Sequence, residues 1–116
     1  MPQMLNVEAN IKMKESDWKT FKKIKEQAIE QFCKNALEEY NEVINSKESA
    51  NNRYLLLYKL VQNRDKQMEL LFDHQSRAKA VMQLIAIRGE GLANETLLKQ
   101  LTEEFLHATD PKAHKW

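Results

Sequence analysis

The sequence predicts an all-α fold, an elongated helical bundle of about four helices preceded by a short N-terminal strand or extended arm. Glycine and proline occur only twice each in 116 residues, whereas folds rich in strands need both for frequent turns. Apolar residues also recur at intervals of three and four, which is the spacing of one helical face. We therefore divide the chain into an arm (residues 1–14), a helical bundle domain (15–109) and a flexible C-terminal tail (110–116).

The composition excludes several classes of protein. Hydrophobic residues make up 42% and charged residues 30%, a balance that supports a folded core and argues against a disordered chain. The net charge of +1 is too small for nucleic-acid binding by charge alone. The single cysteine, Cys33, excludes an intrachain disulfide and fits a reducing compartment. Since we find neither a signal peptide nor a membrane-spanning apolar run, we expect a cytoplasmic protein with no membrane partner.

The segment "LNVEANIKMK", Leu5–Lys14, alternates apolar and polar residues, which is typical of a half-buried strand. A lone strand leaves its backbone groups unpaired. It can pair with its own copy across a two-fold axis, add to the sheet of another protein, or lie as an arm in an apolar groove. Alternatively, the alternation is chance and the first helix begins earlier. We favour self-pairing, and hence a homodimer.

A long first helix follows, capped by Ser16 or Asp17 and ending near Asn45 and Ser46. Its length of about thirty residues, roughly 45 Å, suggests either an elongated bundle or a dimer in which the overhang is buried. Its apolar stripe consists of Phe21, Ile24, Ala28, Phe32, Ala36, Tyr40 and Val43.

The second helix is capped by Ser46 or Ser49, and apolar or amphipathic residues cover its whole circumference from Tyr54 to Tyr58. A helix that is apolar all round is buried on more than one side. We therefore place it at the centre of the bundle or at a subunit interface. Residues 62–67, "QNRDKQ", are polar on every face, and we favour an unbroken helix because the apolar pattern resumes at Met68.

Two shorter helices complete the predicted bundle. Asp73 or Ser76 caps the third, and Gly89 is expected as its left-handed C-cap. Asn94 caps the fourth, which we expect to continue to residue 109. The apolar residues of the third are Ala78, Val81, Met82, Leu84, Ile85 and Ile87, and those of the fourth are Leu97, Leu98, Leu101 and Phe105.

Catalytic and metal-binding patterns are weak. Glu104 and His107 have the spacing of one half of a di-iron site, but the second half is absent. An acidic face at Asp65, Glu69 and Asp73 lacks the glycine-shaped loop of a cation site. We therefore predict no catalytic residue, cofactor or metal. A small helical enzyme or metal-binding protein with no recognisable motif is the second alternative function.

The function we predict is that of a small non-catalytic cytosolic adaptor, regulator or inhibitor. It would act through protein–protein contacts and bind both itself, as a homodimer, and another protein. The residues predicted to contact the partner are Leu5, Val7, Ile11, Met13, Tyr54 and Tyr58.

Opposite charges near apolar surroundings form a second candidate, which we call the polar contact cluster. Arg64 and Asp65 lie in the polar middle of the second helix, and Asp73 and Arg77 lie at the junction with the third. They either brace the bundle or mark a contact site.

The first alternative function is nucleic-acid binding through the basic segment from Lys12 to Lys25. Trp18 lies beside its lysines, and lysines on one face with a nearby aromatic residue could grip a phosphate backbone. However, Glu26 and Glu30 continue the same helical face and would neutralise it. The patch consists of Lys12, Lys14, Lys19, Lys22 and Lys23.

If the basic segment binds nucleic acid, affinity for generic duplex or single-stranded DNA will fall steeply as salt rises, because bound lysines displace counterions from phosphates. A salt titration of binding measures this. Absence of binding at low salt removes the alternative.

Overall fold

The computed structural model describes residues 13–73 and 76–114, and no strand occurs within them. The predicted all-α fold is confirmed. The predicted strand up to residue 12 lies outside the described residues, while Met13 and Lys14 have no regular secondary structure. The helices are α1 (Glu15–Ile44), α2 (Ala50–Phe72), α3 (Arg77–Gly89), α4 (Glu95–Leu98), α5 (Glu103–Ala108) and a 3₁₀ helix (Pro111–His114).

The chain divides into two compact units. In the described residues the first unit comprises 13–28 and 76–114, and the second, the hairpin unit, comprises Ile29–Asp73. Burial differs sharply between them: of fourteen buried apolar residues, only Ala36, Leu71 and Phe72 belong to the hairpin unit. The core of the described chain is therefore concentrated in the first unit.

The first unit is built on the N-terminal half of α1 and on α3. Phe21 and Ile24 of α1 are fully inaccessible to solvent, as is Leu84 of α3. Met82, which we predicted among the apolar residues of α3, is 53% exposed. It points away because the buried face runs through residues 80, 81, 84, 85 and 87, which leaves residue 82 on the opposite side.

The start of α1 corrects the predicted cap. The helix begins at Glu15, so Ser16 and Asp17 lie inside its first turn and neither caps it. Asp17 is 1% exposed and binds a distant residue. Its Oδ1 accepts the Thr102 backbone N–H at 2.8 Å, and its Oδ2 accepts the Thr102 hydroxyl at 2.7 Å.

The Asp17–Thr102 contact explains why the predicted fourth helix is divided. α4 ends at Leu98 and α5 begins at Glu103. Thr102 has the extended backbone of an N-cap, and its hydroxyl accepts the Phe105 N–H. Because the Thr102 N–H is bound by Asp17, it cannot donate to the carbonyl four residues earlier as a continuous helix requires.

The C-terminal end of α3 corrects a second expectation. The residue with positive φ is Gly91 (φ 71°), whereas Gly89 is the last residue of the helix. The Gly91 N–H donates to the Arg88 carbonyl at 3.0 Å. The left-handed position therefore lies two residues later than predicted, where a glycine carries no steric penalty.

Other local predictions are confirmed. Ser49 caps α2, Ser76 caps α3 and Asn94 caps α4, each accepting the backbone N–H three residues ahead. α1 ends at Ile44, and α2 is continuous through residues 62–67.

Part of the predicted C-terminal tail has regular structure. The 3₁₀ helix contacts α3, and His114 Nε2 lies 2.9 Å from the Ala108 carbonyl oxygen. Arg88 of α3 also donates to the Leu106 carbonyl and the Thr109 hydroxyl. These bonds attach the C-terminal segment of the described chain to the first unit.

The Asp17→Ala substitution should destabilise the protein by roughly 2–3 kcal/mol, because it removes a charged acceptor and leaves a part-buried N–H without its partner. Urea unfolding followed by circular dichroism measures the change. The control is Glu26→Ala, an exposed acid on the same helix, which should have little effect. Equal stability of the two variants would contradict the role assigned to Asp17.

Candidate functional site

The hairpin unit pairs the C-terminal half of α1 with α2 in an antiparallel arrangement. Near one end, the Phe32 and Phe72 rings meet edge to face with centroids 5.8 Å apart. Near the other, an Arg53 guanidinium N–H donates to the Ile44 carbonyl at 2.7 Å. The order of the contacts along α2 is thus the reverse of their order along α1, as expected of antiparallel helices.

The middle of the hairpin is joined by an ion pair that the sequence analysis did not predict. Arg64 Nε donates to Glu39 Oε1 at 2.8 Å, and a second guanidinium nitrogen contacts Glu39 Oε2 at 2.6 Å. These hydrogen bonds lower the pKa of Glu39, although partial burial acts against the shift. They also raise the pKa of Arg64. Arg64 is therefore held by α1 rather than by its predicted neighbour Asp65.

Apolar side chains are unusually exposed in the hairpin unit. Of nine large apolar residues exposed in the described chain, only Met82 lies in the first unit. The eight in the hairpin unit are Leu37, Ile44, Tyr54, Leu55, Leu56, Tyr58, Val61 and Leu70.

This exposure corrects the predicted position of the second helix at the centre of the bundle. Only Leu71 and Phe72 of α2 are buried. Tyr54 is 70% exposed and Tyr58 is 56% exposed. An all-round apolar helix needs neighbours on several sides, and within the hairpin unit α2 has only α1. The other expectation, that α2 lies at a subunit interface, stays a prediction.

An open groove runs along one side of the hairpin unit, with a volume of about 520 Å³ and a mainly apolar lining. We call it the hairpin groove. Val61, at its edge, is 42% exposed, and Leu37 is 64% exposed. Its lining residues are Lys34, Leu37, Glu38, Tyr40, Asn41 and Ile44 from α1, with Leu57 and Val61 from α2.

The pKa of Tyr40, which lines the hairpin groove, is raised from its ordinary value. Burial raises the pKa of its phenol, and the positive charge of Arg64 opposes this shift. The negative charges of Glu39 and Asp65 raise the pKa further. Because its pKa is raised, Tyr40 stays neutral and able to donate a hydrogen bond at physiological pH.

The structure places the other predicted contact residues as follows. Met13 is half-buried, whereas Leu5, Val7 and Ile11 lie outside the described residues. In the polar contact cluster, Arg77 pairs with Glu15 at 2.6 Å rather than with Asp73. The hydrogen bond from Arg77 lowers the pKa of Glu15. Both predicted pairs are thus replaced, since each arginine binds an acid of α1.

The basic segment is smaller than the sequence analysis predicted. Lys25 is only 4% exposed, and its Nζ lies 3.4 Å from Gln83 Oε1, so it belongs to the core of the first unit. The Nζ of Lys22 lies 5.5 Å from the centre of the Trp18 ring, where it makes a cation–π contact. Lys14, Lys19, Lys22 and Lys23 are exposed, while Lys12 lies outside the described residues.

Neither a metal-binding cluster nor a membrane-spanning helix is present among the described residues. No group of three or more histidine, cysteine, aspartate or glutamate side chains there is suited to hold a metal ion. No helix in this part of the chain combines the length and the apolar character needed to cross a bilayer.

The sequence analysis missed several residues of the exposed apolar surface, notably Leu37, Ile44 and Val61. A signal was present, since Leu37 and Ile44 are seven residues apart and lie off the main stripe of α1. Tyr54, Tyr58 and Val61 repeat the same spacing on α2. Two helical turns span about seven residues, so each set lies on one face.

Comparisons with protein-family models, with curated proteins and with solved structures found no match to this chain.

The Glu39→Gln substitution should reduce stability at pH 7 by less than about 1 kcal/mol, since the pair is partly exposed. The lowered pKa of Glu39 means that its ionised form stabilises the fold above the ordinary value of 4.5. This contribution is lost as the pH falls through the lowered value. Urea unfolding at neutral and acidic pH should show the difference shrinking in acid, with Glu42→Gln as the exposed control. A difference that grows in acid would contradict this assignment.

Proposed function

We propose that this chain is a small non-catalytic binding protein that acts through protein–protein contacts made by its hairpin unit. The observation that carries the proposal is the concentration of exposed apolar side chains there: eight of the nine large ones in the described chain. Single exposed apolar residues are ordinary on protein surfaces, but adjacent ones rimmed by polar groups are typical of interaction sites.

The composition of the hairpin groove also favours a protein partner. Tyrosine supplies large contact area together with a hydroxyl group, and aromatic residues are enriched in the cores of interfaces. Tyr40 lines the groove. Tyr54 and Tyr58 are exposed on α2, each three residues before a lining residue, Leu57 or Val61. Lys34 and Glu38 provide charged groups on its α1 side, as expected of a polar rim.

The hairpin unit also has a rigid support for such contacts. The bidentate Arg64–Glu39 contact and the Phe32–Phe72 ring contact join its two helices at different heights along the hairpin. Adaptor and regulatory proteins often present a preformed helical face to a partner. We infer a role of that kind for this protein.

Site-specific photocrosslinking in cells tests the proposal. A photoreactive benzoyl-phenylalanine replaces Tyr58, which is 56% exposed in the hairpin unit, or Met82, which is 53% exposed in the first unit. Irradiation should produce adducts of one or a few discrete masses from position 58 and only background from position 82.

The near-equal exposure of the two positions makes Met82 a matched control. Circular dichroism establishes that both variants are folded. If position 58 yields no more adduct than position 82, the hairpin surface has no protein partner under those conditions, and the proposed function is wrong.

A further inference from the structure

We infer that the occupant of the hairpin groove is a second copy of this chain. In this arrangement, which rests on the proposed function, two hairpin units pair about a two-fold axis parallel to their helices. α1 of each copy then lies beside α2 of the other, and the four helices form an antiparallel bundle.

The spacing of the exposed residues fits such a bundle. Lys34, Leu37, Asn41 and Ile44 follow one another on α1 at intervals of three, four and three residues. Tyr54, Tyr58, Val61 and Asp65 follow one another on α2 at intervals of four, three and four. Alternating steps of three and four form the seam through which helices pack in coiled coils and four-helix bundles.

The two seams lie on the same side of the hairpin unit. Leu37, Ile44 and Val61 all line the hairpin groove, and Tyr54, Tyr58 and Asp65 lie on the same helical face as Val61 because of their spacing along α2. Two such hairpins placed face to face would therefore cover the groove of each with apolar side chains of the other.

The charges at one end of the two seams are complementary when the copies are paired in this way: Lys34 begins the α1 seam, and Glu69 lies one turn after Asp65, which ends the α2 seam. The Glu39–Arg64 contact sets the relative height of the two helices. Lys34 lies five residues before Glu39 on α1, and Glu69 lies five residues after Arg64 on α2. Because the two helices are antiparallel, Lys34 and Glu69 lie at the same height, and Asp65 lies one turn away from Glu69. Rotation about an axis parallel to the helices preserves height. Lys34 of each copy therefore faces Asp65 and Glu69 of the other, which we call the acidic pair.

These charges have no competing ion pair within the part of the chain that is described. The ion pairs between described residues join Arg64 to Glu39 and Arg77 to Glu15, and they involve neither Lys34 nor the acidic pair Asp65 and Glu69. All three side chains are exposed. A two-fold interface repeats each pairing. Lys34 of both copies therefore finds an acidic pair at the same time.

Analytical ultracentrifugation of the full chain over a range of concentrations tests the inference. Leu37→Glu places a charge in the seam and should weaken dimer formation at least about tenfold. Leu70→Glu is the matched control: Leu70 is 84% exposed in the same unit, but nine residues after Val61 put it on the opposite side of α2. The control should dimerise like the unsubstituted chain.

A charge exchange tests the pairing itself. Lys34→Glu should weaken the dimer several-fold, and adding Asp65→Lys and Glu69→Lys to the same chain should restore it. Failure of this restoration overturns the parallel-axis arrangement. Val7→Asp, in the predicted N-terminal strand, should leave the dimer intact; its loss only in that variant would assign the contact to the strand.

The outcome is distinguishable from failure of the proposed function. A chain that stays monomeric at high concentration, but still yields a discrete adduct from position 58 with a different protein, overturns the second copy as occupant and retains the binding role. A monomer with no adduct above the Met82 background contradicts both.

Discussion

The structure depends on one constraint: a single thirty-residue helix supplies the apolar stripe of both compact units. In the first unit, α3, α4 and α5 provide enough neighbours to bury Phe21 and Ile24 completely. In the hairpin unit, α1 meets only α2, and two helices cannot enclose apolar residues on all their faces. The difference in burial between the units follows from this unequal supply of neighbours, and it locates the candidate binding surface.

Polar contacts have a different role in each of the two units. In the first unit, the Asp17 carboxylate is buried and fully engaged with Thr102, so it contributes to structure and is not available to a ligand. In the hairpin unit, Arg64 and Glu39 are partly exposed, and their pairing fixes the register of α1 and α2 more than it adds to stability. The charges at the rim of the hairpin groove remain exposed and therefore able to select a partner.

Much of the fold was predictable because its signals are local. Periodicity identified α1, α2 and α3, and Ser49, Ser76 and Asn94 mark helix starts through bonds spanning three residues. The break between α4 and α5 was missed, although Thr102 makes the same kind of local cap bond to Phe105, because the Asp17 carboxylate that also binds Thr102 lies 85 residues away in sequence. The place of α2 was misjudged because periodicity shows how much apolar surface a helix has, not what covers it. Tyr54 and Tyr58 were predicted as contact residues. Leu37 and Ile44 were not, because they lie outside the main apolar stripe of α1, which has more apolar residues.

The distance between Asp17 and Thr102 along the chain also bears on how the protein folds. Bringing together groups 85 residues apart closes a long loop, which is slow and entropically unfavourable compared with forming a helical turn. Until α1 is in place, only the local Thr102 cap separates α4 from α5. We therefore expect the native end of α4 to form late in folding, after the N-terminal part of α1 has docked.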